Sequence, residues 1–299
     1  MKYLELIYKR VIKRNLLIFK KLGKSFDEKK FFLMLAFSVI IPIILSRLLN
    51  LSFKSTIIMT LLYFGAALSL PSILYESKME KLEENLPKAL YIIVLALDSG
   101  RSINEALHEV VRANIKEVSP VFARVLYLIE KQKLSFEDAM TIVSTFYDSK
   151  ILRMLGKIMI ENRKFGGNLS ETLKTLAKTL EDFRLYKRQL MSVTANSLAM
   201  GFIMICLVVP GVAALLASYL MVLGKTLPGV GNIPQINPED IKRCLDVIQM
   251  GSVVVGALFS VPLFGFKINR MLLISAITMT GSMLVFYLMI TIGPMLFSQ

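Results

Sequence analysis

Leu97-Asp98-Ser99-Gly100-Arg101-Ser102-Ile103-Asn104-Glu105-Ala106-Leu107 is the stretch that decides the fold, because it stops one helix and starts another within five residues. Ser99-Gly100 is a helix breaker. Ser102 and Glu105 stand three apart, the spacing of a reciprocal helix cap. Outward along the chain the same signal returns as Ser135-Phe136-Glu137-Asp138 and as Asn168-Leu169-Ser170-Glu171, so the cap positions 102, 135 and 168 are each 33 residues apart. A helical hairpin repeats with that period.

Between and around the caps, apolar stripes predict six helices: Leu86–Asp98, Ile103–Asn114, Ser119–Lys131, Phe136–Phe146, Ser149–Lys164 and Leu169–Leu190. Leu86, Leu90, Ile93, Val94 and Leu97 recur at three and four in the first, and Leu169, Leu173, Leu176, Leu180 and Phe183 do so in the last. Breakers separate them at Ser99-Gly100, Ser119-Pro120, Lys133–Ser135, Asp148-Ser149 and Gly166-Gly167. Pro87 fits the first turn of a helix capped by Asn85, where a missing N–H costs nothing. Six stripes close one core, an all-α bundle of three antiparallel hairpins. The period is close to that of tetratricopeptide repeats, but their aromatic and small-residue pattern is absent.

The flanks are of another kind. The 299-residue chain is 55% hydrophobic and has a mean hydropathy of +0.59, which matches a polytopic membrane protein. Five runs approach or exceed the length of a span: Phe31–Leu49, Thr56–Tyr75, Ala195–Leu223, Met250–Phe266 and Met271–Ile292. The first is not a cleavable signal peptide, since Arg47-Leu48-Leu49 follows where a small-residue cleavage site would stand. Residues 1–30 carry ten Lys or Arg against Glu5, Asp27 and Glu28, which puts the amino terminus on the cytoplasmic side. The expected organisation is a basic amphipathic segment (1–30), a transmembrane hairpin (31–75), a cytoplasmic six-helix domain (76–192) and three further spans (193–299) with an external loop at 224–249.

Charge and chemistry narrow the function. The net charge of +14 is concentrated at the amino terminus beside a span, where it suits anionic lipid. Leu6, Val11, Leu16, Leu17 and Phe19 supply an apolar side for a lipid-surface helix within that segment, or equally for a seat on a partner protein. The central block balances its charges and lacks the aromatic and basic interleaving of single-strand binders, so nucleic acid is not an expected partner. Cys206 and Cys244 are too few and too far apart for a metal site or a disulfide framework. The chain has no phosphate loop, no His-Glu-x-x-His and no Gly-x-Ser-x-Gly, so neither an enzymatic activity nor a cofactor is expected. His108 reads as a partly exposed helix residue. Arg47 is the one charge inside a span as drawn, near a helix end, and the lack of mid-membrane acids argues against an ion-coupled transporter. Ser252, Gly256 and Ser260 form a small-residue stripe suited to close helix packing, within the chain or between copies.

The chain resembles the type II secretion F-domain family of membrane platform proteins, found with type II secretion systems, type IV and Tad pili, and archaeal filaments. The resemblance rests on Leu86-Pro87-Lys88-Ala89-Leu90, on residues 97–107, on Lys133-Leu134-Ser135-Phe136-Glu137-Asp138-Ala139 and on Gly166-Gly167-Asn168-Leu169-Ser170-Glu171-Thr172-Leu173, and it covers about 86–215. One such domain is present where type II secretion members carry two, as in the single-domain Tad-type proteins that act in pairs. The resemblance implies a non-enzymatic platform that meets a hexameric assembly ATPase and passes pilin-like subunits to a filament, as a homo-oligomer or with a paralogue. Exposed charges at the bundle's turns, Arg101, Glu105, Arg153, Glu161, Arg163 and Lys164, are the candidate ATPase contacts. A Lys- and Ile-rich sequence without Trp suits a thermophilic archaeon. The alternative is a transport permease with a cytoplasmic regulatory domain.

Overall fold

The computed structural model describes residues 14–21, 28–165, 168–226 and 237–297. Among these every regular element is helical: α1 (Arg14–Lys21), α2 (Glu28–Leu48), α3 (Phe53–Asp98), α4 (Ile103–Arg112), α5 (Ser119–Glu130), α6 (Phe136–Phe146), α7 (Lys150–Phe165), α8 (Leu169–Ile203), a π-helical turn (Met204–Val208), α9 (Val209–Thr226), α10 (Pro238–Phe264) and α11 (Ile268–Phe297). Among the described residues five stretches are long and apolar enough to cross a membrane: Lys29–Leu48, Phe53–Asp98, Leu169–Leu223, Glu239–Pro262 and Ile268–Leu296. The helices sort into two compact units. One is Leu74–Leu190 and the other comprises the described residues of Met1–Ile73 and Met191–Gln299.

In the 74–190 unit the predicted stripes meet in one core. Leu82, Leu86, Leu90 and Ile93 of α3 pack with Leu107, Phe122, Val125, Met140, Val143, Leu152, Leu155 and Leu173, all essentially buried. Leu176 and Leu180 border this core, whereas Phe183 is 69% exposed and leaves the stripe. The α3 and α8 helices run antiparallel inside this unit. Ser170 Oγ donates to Asp98 Oδ1, Tyr91 Oη to Glu181 Oε2 (3.1 Å) and Arg184 Nη1 to the Glu84 carbonyl (3.2 Å).

Pro87 corrects one expectation. It is a buried interior residue of the 46-residue helix α3 rather than a first-turn residue, and Asn85 caps nothing, donating back to the Lys81 carbonyl at 3.1 Å. An interior proline removes one i→i−4 bond and strains the next. Here Arg184 supplies a donor to the Glu84 carbonyl, three residues before the proline. Pro71 stands in the same relation to Leu68, whose carbonyl accepts from Asn15 Nδ2 of α1 at 3.2 Å in the other unit. A side-chain donor thus reaches the carbonyl three residues before each proline, next to the Glu83 and Ala67 carbonyls that lose their helical N–H.

In that other unit, Met59, Leu62, Ala214, Ala276, Met279, Met283 and Phe286 form the core. Ahead of Pro210-Gly211 the helix changes its hydrogen-bond register. A π turn ends at Val208, and α9 resumes with Pro210 in its first turn. The stretch 224–249 is not all loop, because α10 begins at Pro238 and Asp240 Oδ2 accepts from the Asn237 N–H at 3.2 Å. Of the amino-terminal amphipathic segment, residues 1–13 and 22–27 lie outside the described residues. In α1, Asn15 and Phe19 are buried, Leu17 is exposed, and the Phe19 ring meets Phe31 edge-on at 6.3 Å.

Candidate functional site: the capped turns

Each of the three cap signals makes its bonds. The Glu105 N–H donates to Ser102 Oγ (3.3 Å) while Glu105 Oε2 accepts from the Ser102 N–H (2.9 Å). The Asp138 N–H donates to Ser135 Oγ (3.1 Å), and the Glu171 N–H to Asn168 Oδ1 (3.3 Å). Ahead of the first cap, Gly100 holds φ at +77°. Its N–H donates to the Leu97 carbonyl (2.9 Å) and that of Arg101 to the Ala96 carbonyl (3.0 Å), closing the end of α3. A side chain there would be strained by φ alone, since nothing lies within 4 Å of an added Cβ. Gly166 and Gly167 lie outside the described residues.

Contacts between turns bring the caps to one end of the unit. The Ser170–Asp98 bond joins the third turn to the first. Arg163 of α7 reaches Glu137 at 3.9 Å and lies 5.1 Å over the Phe136 ring, which joins the second turn to the close of α7. The opposite end holds the α6–α7 turn, where Ser149 Oγ donates to Glu83 Oε1 (2.6 Å) and Tyr75 Oη to the Tyr147 carbonyl (2.9 Å).

Of the expected contact residues, Arg101, Glu105, Glu161 and Arg163 fall on elements that meet the capped end, and all four are exposed. Lys164 precedes the last residue of α7 by its position in the helix. Arg153 does not join them. It pairs with Asp148 (3.1 Å) at the opposite end, because α7 runs antiparallel to α6 and its first turn lies away from the caps.

Arg101 and Glu105 line a surface hollow of about 360 Å³ with His108, Glu109 and Arg112. Glu109 Oε1 accepts from both Arg101 (2.5 Å) and Arg112 (3.2 Å). His108 Nε2 lies 2.6 Å from Glu130 Oε1, a partner 22 residues away that no local pattern reveals. Bonds from the Ser102 backbone N–H, then from its hydroxyl, hold the Glu105 carboxyl below its ordinary value. Such a surface offers fixed charges of both signs and suits docking of another charged protein face.

The small-residue stripe lies inside the chain. Ser252, Gly256 and Ser260 are buried, and a Cβ on Gly256 would stand 2.2 Å from Thr278 Oγ1 and 3.1 Å from Thr278 Cβ on α11. Residues 238–249, read as loop from the sequence, belong to α10, so Glu239, Asp240, Lys242, Arg243 and Asp246 lie within a stretch that is long and apolar enough to cross a membrane. That corrects the expectation that Arg47 is the one charge inside a span. Asn237-Pro238 followed by Asp240 is a helix-start signal, and it could have located this helix.

The family Type II secretion system (T2SS), protein F matches the chain over residues 89–217. The chain is 61% identical to the uncharacterized protein MJ0779 of Methanocaldococcus jannaschii over 297 residues, 99% of each chain. No solved structure matches it. With its three capped helical turns inside the matched region, the chain belongs to the type II secretion system protein F family.

Proposed function

We propose that the protein is a cytoplasmic-membrane platform for assembly of a type IV pilus-like filament or pseudopilus, coupling a hexameric assembly ATPase to insertion of pilin-like subunits. The observation that carries this reading is the family match over 89–217, which takes in most of the 74–190 unit and continues into the next apolar helix. In this reading residues 76–192 are cytoplasmic, the amino terminus is cytoplasmic and rests on anionic lipid, and the ATPase meets the capped end at Arg101, Glu161 and Arg163. The platform works as a homo-oligomer or beside a paralogous partner and performs no catalysis itself. The fixed charges of both signs around Glu109 support docking to a protein over binding of a free anion.

Deletion of the gene in the encoding organism, with any paralogue also removed, tests the reading by electron microscopy of the cell surface. Loss of one filament class, restored by the wild-type gene, is expected. Unchanged filaments and unchanged secretion would overturn the proposal.

A further inference from the structure

Gln249 of α10 is fully buried in the unit that holds most of the apolar helices. Its amide nitrogen donates to the Ser55 carbonyl (3.0 Å) and to Met279 Sδ (3.5 Å), which fixes which way the amide faces. The amide oxygen, Oε1, is then buried with no hydrogen-bond partner. One helical turn earlier, Asp246 accepts a bond from the Ser55 hydroxyl on the same residue of α3. Among the described residues no Lys, Arg or His forms an ion pair with Asp246. Hydroxyls continue the polar strip inward, Ser252 Oγ donating to the Gln249 carbonyl (3.0 Å) and Ser282 Oγ to Ser252 Oγ (3.1 Å).

A carboxylate and an amide, both bonded to one serine, make a cluster with an acceptor left over, and although Lys242 and Arg243 stand one turn before Asp246 on α10, neither pairs with it. Charge in an apolar helix needs a partner. A single carboxylate among neutral oxygens suits an ion of one charge, since calcium and magnesium generally recruit more carboxylates or water. We propose that Asp246, Gln249 and Ser55 form a binding site for a monovalent alkali cation, which ties the first turn of α3 to α10. The inference does not depend on the platform reading, because it concerns ion binding by the protein alone.

The test is thermal unfolding of the full-length protein in lipid nanodiscs, in sodium, potassium or N-methyl-D-glucamine chloride at equal ionic strength. Sodium or potassium should raise the melting temperature by roughly 5 °C over the organic cation. That increment should disappear in Gln249→Met and in Asp246→Asn, both close in volume to the native residue. Equal melting in all three salts overturns the proposal, and so does an increment that persists in both variants. Crystals grown with thallium(I) give a reading that needs no variant. An anomalous peak within about 3 Å of Gln249 Oε1 supports the site, and its absence there, as for a site holding only water, overturns it.

Discussion

Ser102, Ser135 and Asn168 show how a short side chain fixes a boundary. Each bond is local, so the three caps were legible in the sequence, and Ser102→Ala should cost about 1 kcal/mol in unfolding free energy. Glu105 adds a pH dependence whose sign follows from its bonds to Ser102. Its carboxyl sits below the ordinary 4.5 in the folded chain. Its contribution is therefore fully present above that value and is lost as pH falls through the folded one. Hydrogen exchange at the first turn of α4 should show protection that declines on acidification in the wild type and stays flat in Glu105→Gln. Equal pH dependence in the two proteins would refute the assignment. Gly256 makes the complementary point about packing. Gly256→Ala should lower stability because Thr278, itself buried, cannot retreat, whereas Gly251→Ala meets nothing within 4 Å and should gain up to about 1 kcal/mol from helix propensity. Denaturation of the two variants side by side checks the contrast, and equal losses would contradict it.

Helices were more legible than their limits. The bounds of α4, α5, α6 and α7 follow the apolar stripes and breakers within a residue or two, because each end is set by its own neighbours. The α3 boundary was not legible, since Pro87 reads as a helix start and the contacts beside it, such as Arg184 to the Glu84 carbonyl, come from 100 residues away. The start of α10 was missed for a different reason: its first two turns are polar, and hydropathy alone drew the span at Met250. Arg184→Ala should destabilise the protein by about 1 kcal/mol by leaving the Glu84 carbonyl without that donor. The cost should shrink in a Pro87→Ala background, where Lys88 regains an unstrained bond to the same carbonyl. A double-mutant cycle by chemical denaturation measures the coupling, and strict additivity would show that Arg184 acts independently of the proline.

At the level of the whole chain, α8 carries unbroken helical structure from Leu169 to Ile203. If the proposed platform passes mechanical work along that helix, Ser192→Pro should abolish filament assembly while ATPase binding survives, since an interior proline costs about 3 kcal/mol of helix and leaves both cores untouched. Co-purification and filament imaging of that variant separate the two effects. Normal filaments would remove α8 from the account. In the proposed platform the capped end of the 74–190 unit faces the ATPase, and in-cell photocrosslinking measures this most directly. A photoreactive residue replacing Arg101 or Glu161 should crosslink to the assembly ATPase, and one replacing Lys116, in the α4–α5 turn at the other end, should not. Crosslinks from position 116 with none from 101 or 161, or none from any of the three, would contradict the account.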